Sequence, residues 1–287
     1  MQSLIDLILN PLSYPFMQRG LIAVMLVGVV CALVGSYIVL RGMAFFGDAL
    51  AHAVLPGIAI GYLVSGGDRG MLFWWALVTA IISSLGIGAI SRTTHIREDT
   101  AIGIIFAGMF ALGIALISTV QNYAVDLSHF LFGNVLGVSS GDLWRTGIFG
   151  ALIILLVLVF YKEFIVLSFD PILATTLRLP ARFLENTLLI LIAVAIVVSL
   201  QVVGVALMVA MLVTPAATAY LLTRRLHIMM ILAAAIAVVS AVMGLYLSYY
   251  VSIASGAAIV LTCTMVFLIT WIGKAIRARI IASDSGT

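Results

Sequence analysis

The chain has 287 residues, of which 64% are hydrophobic and 9% charged, with a mean hydropathy of +1.30. Soluble domains carry roughly 25% charged residues, so a water-exposed globule is excluded. The formal net charge of +3 comes from basic residues standing singly or in pairs at the ends of apolar runs; this fits membrane-flanking positions and excludes a nucleic-acid surface.

Apolar runs occupy residues 19–40, 43–65, 71–91, 101–120, 144–161, 184–202, 204–222, 228–249 and 252–273. Each approaches the roughly 20 residues that a helix needs to cross a hydrocarbon core. The predicted fold class is therefore all-α, a polytopic helical membrane protein forming one unit over 1–287. It has eight or nine transmembrane helices, the count depending on whether 184–222 breaks at Gln201 and Gly204. Residues 1–17 hold Asp6 as their sole charge and show no signal-peptide pattern.

The second run opens with GDALAHAVLPG at 47–57, which places Asp48 and His52 within a membrane-spanning pattern. Their i, i+4 spacing puts both on one helix face. Ionisable groups in a bilayer persist where they pair, face a cavity or handle an ion. With 43–65 as a span, the two lie about 7–14 Å into the membrane at a rise of about 1.5 Å per residue. Carboxylate and imidazole both bind divalent first-row metals, and two copies across a two-fold axis would make an O2N2 set suited to Mn²⁺, Fe²⁺ or Zn²⁺. The competing structural reading has Asp48 balancing Arg41 and His52 as a packing residue.

Arg41, then Arg92 and Arg97, then Lys162, Arg178 and Arg182, then Arg224 and Arg225, then Lys274, Arg277 and Arg279 occupy alternate connections. The positive-inside rule makes these cytoplasmic, leaving the N-terminus outside and the C-terminus inside if there are nine crossings. Residues 121–143, with Asp126, His129 and Asn134, read as a short helix at the outer surface. In 162–183, Asp170-Pro171 opens a helical pattern that Pro180 closes, with Ser168 or Asp170 as its cap. Cys31 and Cys263 read as small buried hydrophobes, and Met208 and Met211 as core filling. His95 and His227 lie in basic connections and read as solvated. Gln201 needs a partner or lines a path, and Thr214-Pro215 should kink its helix. Gly108 and Gly113 read as sites of close helix packing.

Four segments carry a resemblance: QRGLIAVMLVGVVCALVGSYIVLRGMAFFGDALAHAVLPG at 18–57, FLFGNVLGVS at 130–139, FDPILATTLRLP at 169–180 and QVVGVALMVAMLVTPAATA at 201–219. In these, and in their order, the chain resembles the membrane-spanning subunit of ABC importers for manganese, zinc or iron. The resemblance implies a type II ABC importer-like fold in a prokaryotic plasma membrane and a second permease copy, most simply a homodimer. It also implies a separate ATP-binding subunit and an extracytoplasmic metal-binding protein. The family's metal site falls on Asp48 and His52, with the divalent metal as transported substrate and no permanently bound cofactor. Phe169, Asp170, Pro171, Ile172, Leu173, Leu177 and Pro180 fall on its ATPase-coupling helix. The stretch around 126–139 is more like manganese and iron members, which favours manganese.

The chain has no G-x-x-x-x-G-K-[ST] loop, so ATP-driven action needs a partner. A proton-coupled secondary metal transporter is the nearest alternative, with Asp48 and His52 as a relay, but no inverted repeat supports it. An intramembrane enzyme is the more distant one. Its HExxH form fails because Ala-Val-Leu-Pro follows His52, and a paired-aspartate form lacks a second intramembrane Asp.

Overall fold

A computed structural model describes residues 10–66, 68–94, 96–119, 135–169 and 171–284. Among these, helices run in the order α1 Pro15–Leu40, α2 Phe46–Ala53, α3 Leu55–Ser65, α4 Arg69–Thr94, α5 Glu98–Ile117 and α6 Ser140–Val159. They continue as α7 Tyr161–Phe169, α8 Pro171–Thr176, α9 Ala181–Val203, α10 Val205–Leu222, α11 Leu226–Val251 and α12 Ser255–Asp284. Taking α2 and α3 as one interrupted span, the described residues contain 9 helices long and apolar enough to cross a membrane.

Helix α1 is the central post, packed on α6, α9, α10 and α11. Its buried side runs from Met17 to Ile38 on nearly every turn. Pro15 starts it, since a proline at the first helical position loses no bond. Gly42 stops it. With φ of +71°, Gly42 donates to Val39 O at 3.2 Å and the following Met43 to Ile38 O at 3.0 Å, the paired bonds of a left-handed helix stop. Near the C-terminal end of α1, it and α10 touch backbone to backbone. A Cβ on Gly35 would overlap the Leu212 carbonyl oxygen, so only glycine permits this approach.

The nearly continuous run 184–222 breaks at Gly204, whose φ is +78°. Gln201 sits half-buried in the last turn of α9. Pro215 lies inside α10, where Thr218 Oγ1 donates to the Thr214 carbonyl at 2.7 Å. Met208 and Met211 are fully buried, as are the free Cys31 and Cys263, so all four are core. Gly113 packs 2.6 Å from Leu55 Cβ counted from its own would-be Cβ, whereas Gly108 faces open space. The expected close packing therefore holds for Gly113 only.

The connection after α6 is more helical than its sequence pattern predicts. Phe160 bends the chain and α7 continues it, with Phe164 buried edge-on against Tyr37 at 5.7 Å. Pro171 then starts α8, as expected. Ser168 Oγ is buried without a partner, so it is not the cap of α8, while Asp170 lies outside the described residues. Asp126, His129, Asn134 and His95 also lie outside them. His227 is exposed.

At one end of the bundle, four helices are tied by charge. Arg41, capping α1, reaches Glu98 of α5 at 2.8 Å and Glu185 of α9 at 3.3 Å, and Glu185 also meets Arg92 of α4 at 2.9 Å. At that end Lys274 Nζ donates to Leu221 O at 2.9 Å, joining α12 to the end of α10. Nine spans alternating in direction bring the basic connections to this same end.

Candidate metal site

Helix α2 starts immediately after the turn at Gly42 and is only 8 residues long. Phe46 N–H bonds Met43 O at 2.9 Å and Ala49 N–H bonds Phe45 O at 3.0 Å, so backbone starts the helix without a side-chain cap. Pro56 ends it. Proline has no N–H for the His52 carbonyl four residues earlier, which is met instead by Val54 N–H, and the chain restarts as α3. The helix therefore carries Asp48 in its first turn and His52 in its last. A carboxylate near a helix N-terminus suits the helix dipole, by about 0.3–1 kcal/mol in exposed settings.

The two side chains meet. His52 Nε2 lies 3.7 Å from Asp48 Oδ1, and the side chains are 27% and 38% exposed respectively. A partly open pair can admit an ion, which a sealed core pair could not. Leu50, Ala49, Ala51 and Ala53 of the same helix are buried, so α2 turns its apolar side inward and the Asp48–His52 edge outward. Arg41 is spoken for by Glu98 and Glu185. Asp48 has its contact with His52.

Across from α2, Phe106 and Phe110 of α5 form a wall. They stack on each other with centroids 5.7 Å apart and planes at 21°. His52 stands edge-to-face against both, at 6.0 and 5.6 Å. Phe45 closes the wall against Phe106 at 5.9 Å. Neither phenylalanine stands out in the sequence, although both helices carry their pair at the same i, i+4 spacing.

Among the described residues, no group of three or more His, Cys, Asp or Glu side chains comes together. One chain thus offers two donors at Asp48 and His52, fewer than the four that Zn²⁺ usually takes or the six of an octahedral ion. The residues expected to couple to an ATPase lie on a different element, α8 and its flanks. Phe169, Leu173, Leu177 and Pro180 are exposed around α8, while Pro171 and Ile172 form its first turn.

Comparison with known proteins agrees with this architecture. The family model described as the ABC 3 transport family matches residues 13–274. The manganese transport system membrane protein MntC of Listeria innocua is 50% identical over 91% of this chain and 91% of its own. The chelated iron transport system membrane protein YfeD of Yersinia pestis is 39% identical, covering 96% of this chain and 92% of its own. Among solved structures, a chain of PsaBC from Streptococcus pneumoniae in complex with Fab superposes with a TM-score of 0.80 at 39% identity, covering 93% of this chain and 95% of that one. With the family model spanning nearly all of its helices, the chain belongs to the ABC 3 transport family, as a membrane-spanning permease subunit.

Proposed function

We propose that this permease forms the membrane path of an ATP-driven importer, and that a divalent transition metal passes through a site made by Asp48 and His52. The observation that carries the reading is the open Asp48–His52 pair, 3.7 Å apart on α2, while Arg41 pairs with Glu98 and Glu185. A second copy, brought up to the exposed edge of α2, supplies the missing half of an O2N2 site. Two carboxylates then balance the dication, lowering the cost of holding it in a low-dielectric passage. A site divided between two copies releases its ion when they part, and this suits a transporter better than a storage site.

Energy enters from a separate ATP-binding subunit that docks on α8, with the basic end of the bundle facing the cytoplasm. A metal-binding protein delivers the ion at the opposite end. Manganese is the favoured cargo: relatives named for manganese and for iron both match over most of the chain, and the manganese transport protein MntC of Listeria innocua, at 50% identity, exceeds YfeD at 39%.

Uptake of labelled Mn²⁺, Fe²⁺ and Zn²⁺ by cells making the full transporter tests this. Wild type, His52→Ala and Asp48→Asn are compared at equal membrane abundance, with an intact or an inactive ATPase. The reading expects Mn²⁺ uptake that needs ATP hydrolysis and falls at least about tenfold in either variant. Undiminished uptake in both variants would remove Asp48 and His52 from the path.

A further inference from the structure

The structure assigns Phe106 and Phe110 to the positioning of the His52 imidazole, an inference that rests on His52 being a metal donor. A histidine that binds metal through one ring nitrogen ordinarily donates its other N–H to a carboxylate, a carbonyl or water, and that bond sets the ring's orientation. His52 lacks it. Its Nδ1 is buried without a hydrogen-bond partner, while Nε2 is the nitrogen that faces Asp48. Something else has to hold the ring.

The aromatic wall does so by shape. His52 meets Phe106 with planes at 64° and Phe110 with planes at 83°, so two phenyl rings brace one imidazole. Edge-to-face contact is the favoured geometry between ring quadrupoles, and it resists rotation about the Cβ–Cγ bond. The wall is itself fixed. Phe45 buttresses Phe106 from the side. One turn beyond Phe110, Gly113 lets α5 press on the α2–α3 junction: a Cβ there would come within 2.6 Å of Leu55 Cβ and 3.2 Å of Pro56 Cδ. The distance between α5 and His52 is thus set by backbone packing at the very point where α2 ends.

Two consequences follow for transport. The ring presents Nε2 toward the Asp48 side before any ion arrives, so binding need not order it. On the opposite side Phe106 and Phe110 offer no donor atoms, so additional ligands must approach from the exposed edge of α2. The wall therefore acts on affinity for the ion rather than on the turnover of the loaded transporter.

The experiment measures Mn²⁺ uptake against concentration in the full transporter for Phe110→Met, Phe110→Tyr, Phe106→Leu and the Phe106→Leu/Phe110→Met double variant. Ile104→Ala, on the exposed side of α5, and His52→Ala serve as references, all at equal membrane abundance. The double variant is expected to raise KM about tenfold or more, within the range typical of lost orienting partners. Its maximal rate per transporter should stay within about twofold, the pattern of weakened ground-state binding. Phe110→Tyr keeps the ring and should stay near wild type, as should Ile104→Ala. An unchanged KM in both Phe110→Met and the double variant, with His52→Ala inactive, overturns the positioning role and leaves the metal site standing. Wild-type uptake by His52→Ala overturns both. Should the double variant fail to reach the membrane, the single Phe110→Met against Phe110→Tyr comparison decides alone.

Discussion

Arg41 and Glu185, 144 residues apart in the chain, meet at 3.3 Å. Arg41 closes α1 five residues before α2 begins, and Glu185 lies in the first turns of α9, just past the segment containing α8. Their contact links the two parts of the permease that face the ATPase and the cation in the proposed cycle. The side chains are 11% and 17% exposed, so the pair is stronger than a surface bridge yet not fully removed from water.

Glu185→Gln is expected to destabilise the protein by about 2 kcal/mol, between the values for exposed and fully buried pairs. Arg41 keeps Glu98, but Arg92 loses its carboxylate. The two buried free thiols, Cys31 and Cys263, provide the readout, because a thiol-reactive fluorophore reports their exposure during thermal unfolding in detergent. An unchanged midpoint would show that the network contributes nothing net.

Gly35→Val should be far more damaging. Its side chain would occupy the position of the Leu212 carbonyl, so α1 and α10 must part, at a cost of several kcal/mol if the fold survives. Gly108→Ala, facing open space, should leave the same unfolding midpoint within about 1 °C or raise it slightly, since alanine favours helix. Equal behaviour of the two variants would contradict the helix contact.

Leu177→Arg tests the docking role proposed for α8. Leu177 is 55% exposed and ends this helix's turn, so the substitution should leave the permease's own unfolding midpoint within about 0.5 kcal/mol of wild type, as exposed positions do. Co-purification of the ATP-binding subunit is expected to be lost. Retention of a stoichiometric complex with normal uptake would place the docking surface elsewhere.

Ser139→Ala probes the opposite end. Ser139 Oγ accepts from Asp142 N at 3.2 Å and donates to Asp142 Oδ2 at 2.6 Å, while Ser139 N reaches the same carboxylate at 3.3 Å. This capping box starts α6, and its loss should cost about 1 kcal/mol. The thermal midpoint should fall modestly and Mn²⁺ uptake should be retained. A change in uptake without a change in midpoint would mean that Ser139 does more than cap.

Much of this molecule can be read from local pattern. Spans are legible because hydrocarbon demands long apolar helices, and the break at Gly204 because glycine alone takes its φ at no steric cost. Asp48 and His52 are legible because four-residue spacing fixes a shared helix face. What stays hidden depends on distance in sequence. No local feature tells Arg41 that Glu185, rather than Asp48, will stand beside it. The wall at Phe106 and Phe110 hides for the opposite reason: phenylalanine in a membrane helix is so ordinary that its spacing carries meaning only once α2 and α5 are known to pack. Helix α7 was hidden too, because Tyr161–Phe169 mixes Lys162 and Glu163 with apolar residues and has no marked period.

The interruption at Val54 gives the second span unequal halves. Eight residues, Phe46–Ala53, form a lever about 12 Å long at roughly 1.5 Å per residue, with the glycine turn at one end and the proline junction at the other. The second half, Leu55–Ser65, is pinned separately, since Gly57 and Gly61 nest directly against α4. Swinging Asp48 and His52 through several degrees therefore requires torsion at Gly42 and Val54, not the bending of a 20-residue rod. The Leu55–Ser65 half need not move while the half carrying Asp48 and His52 does.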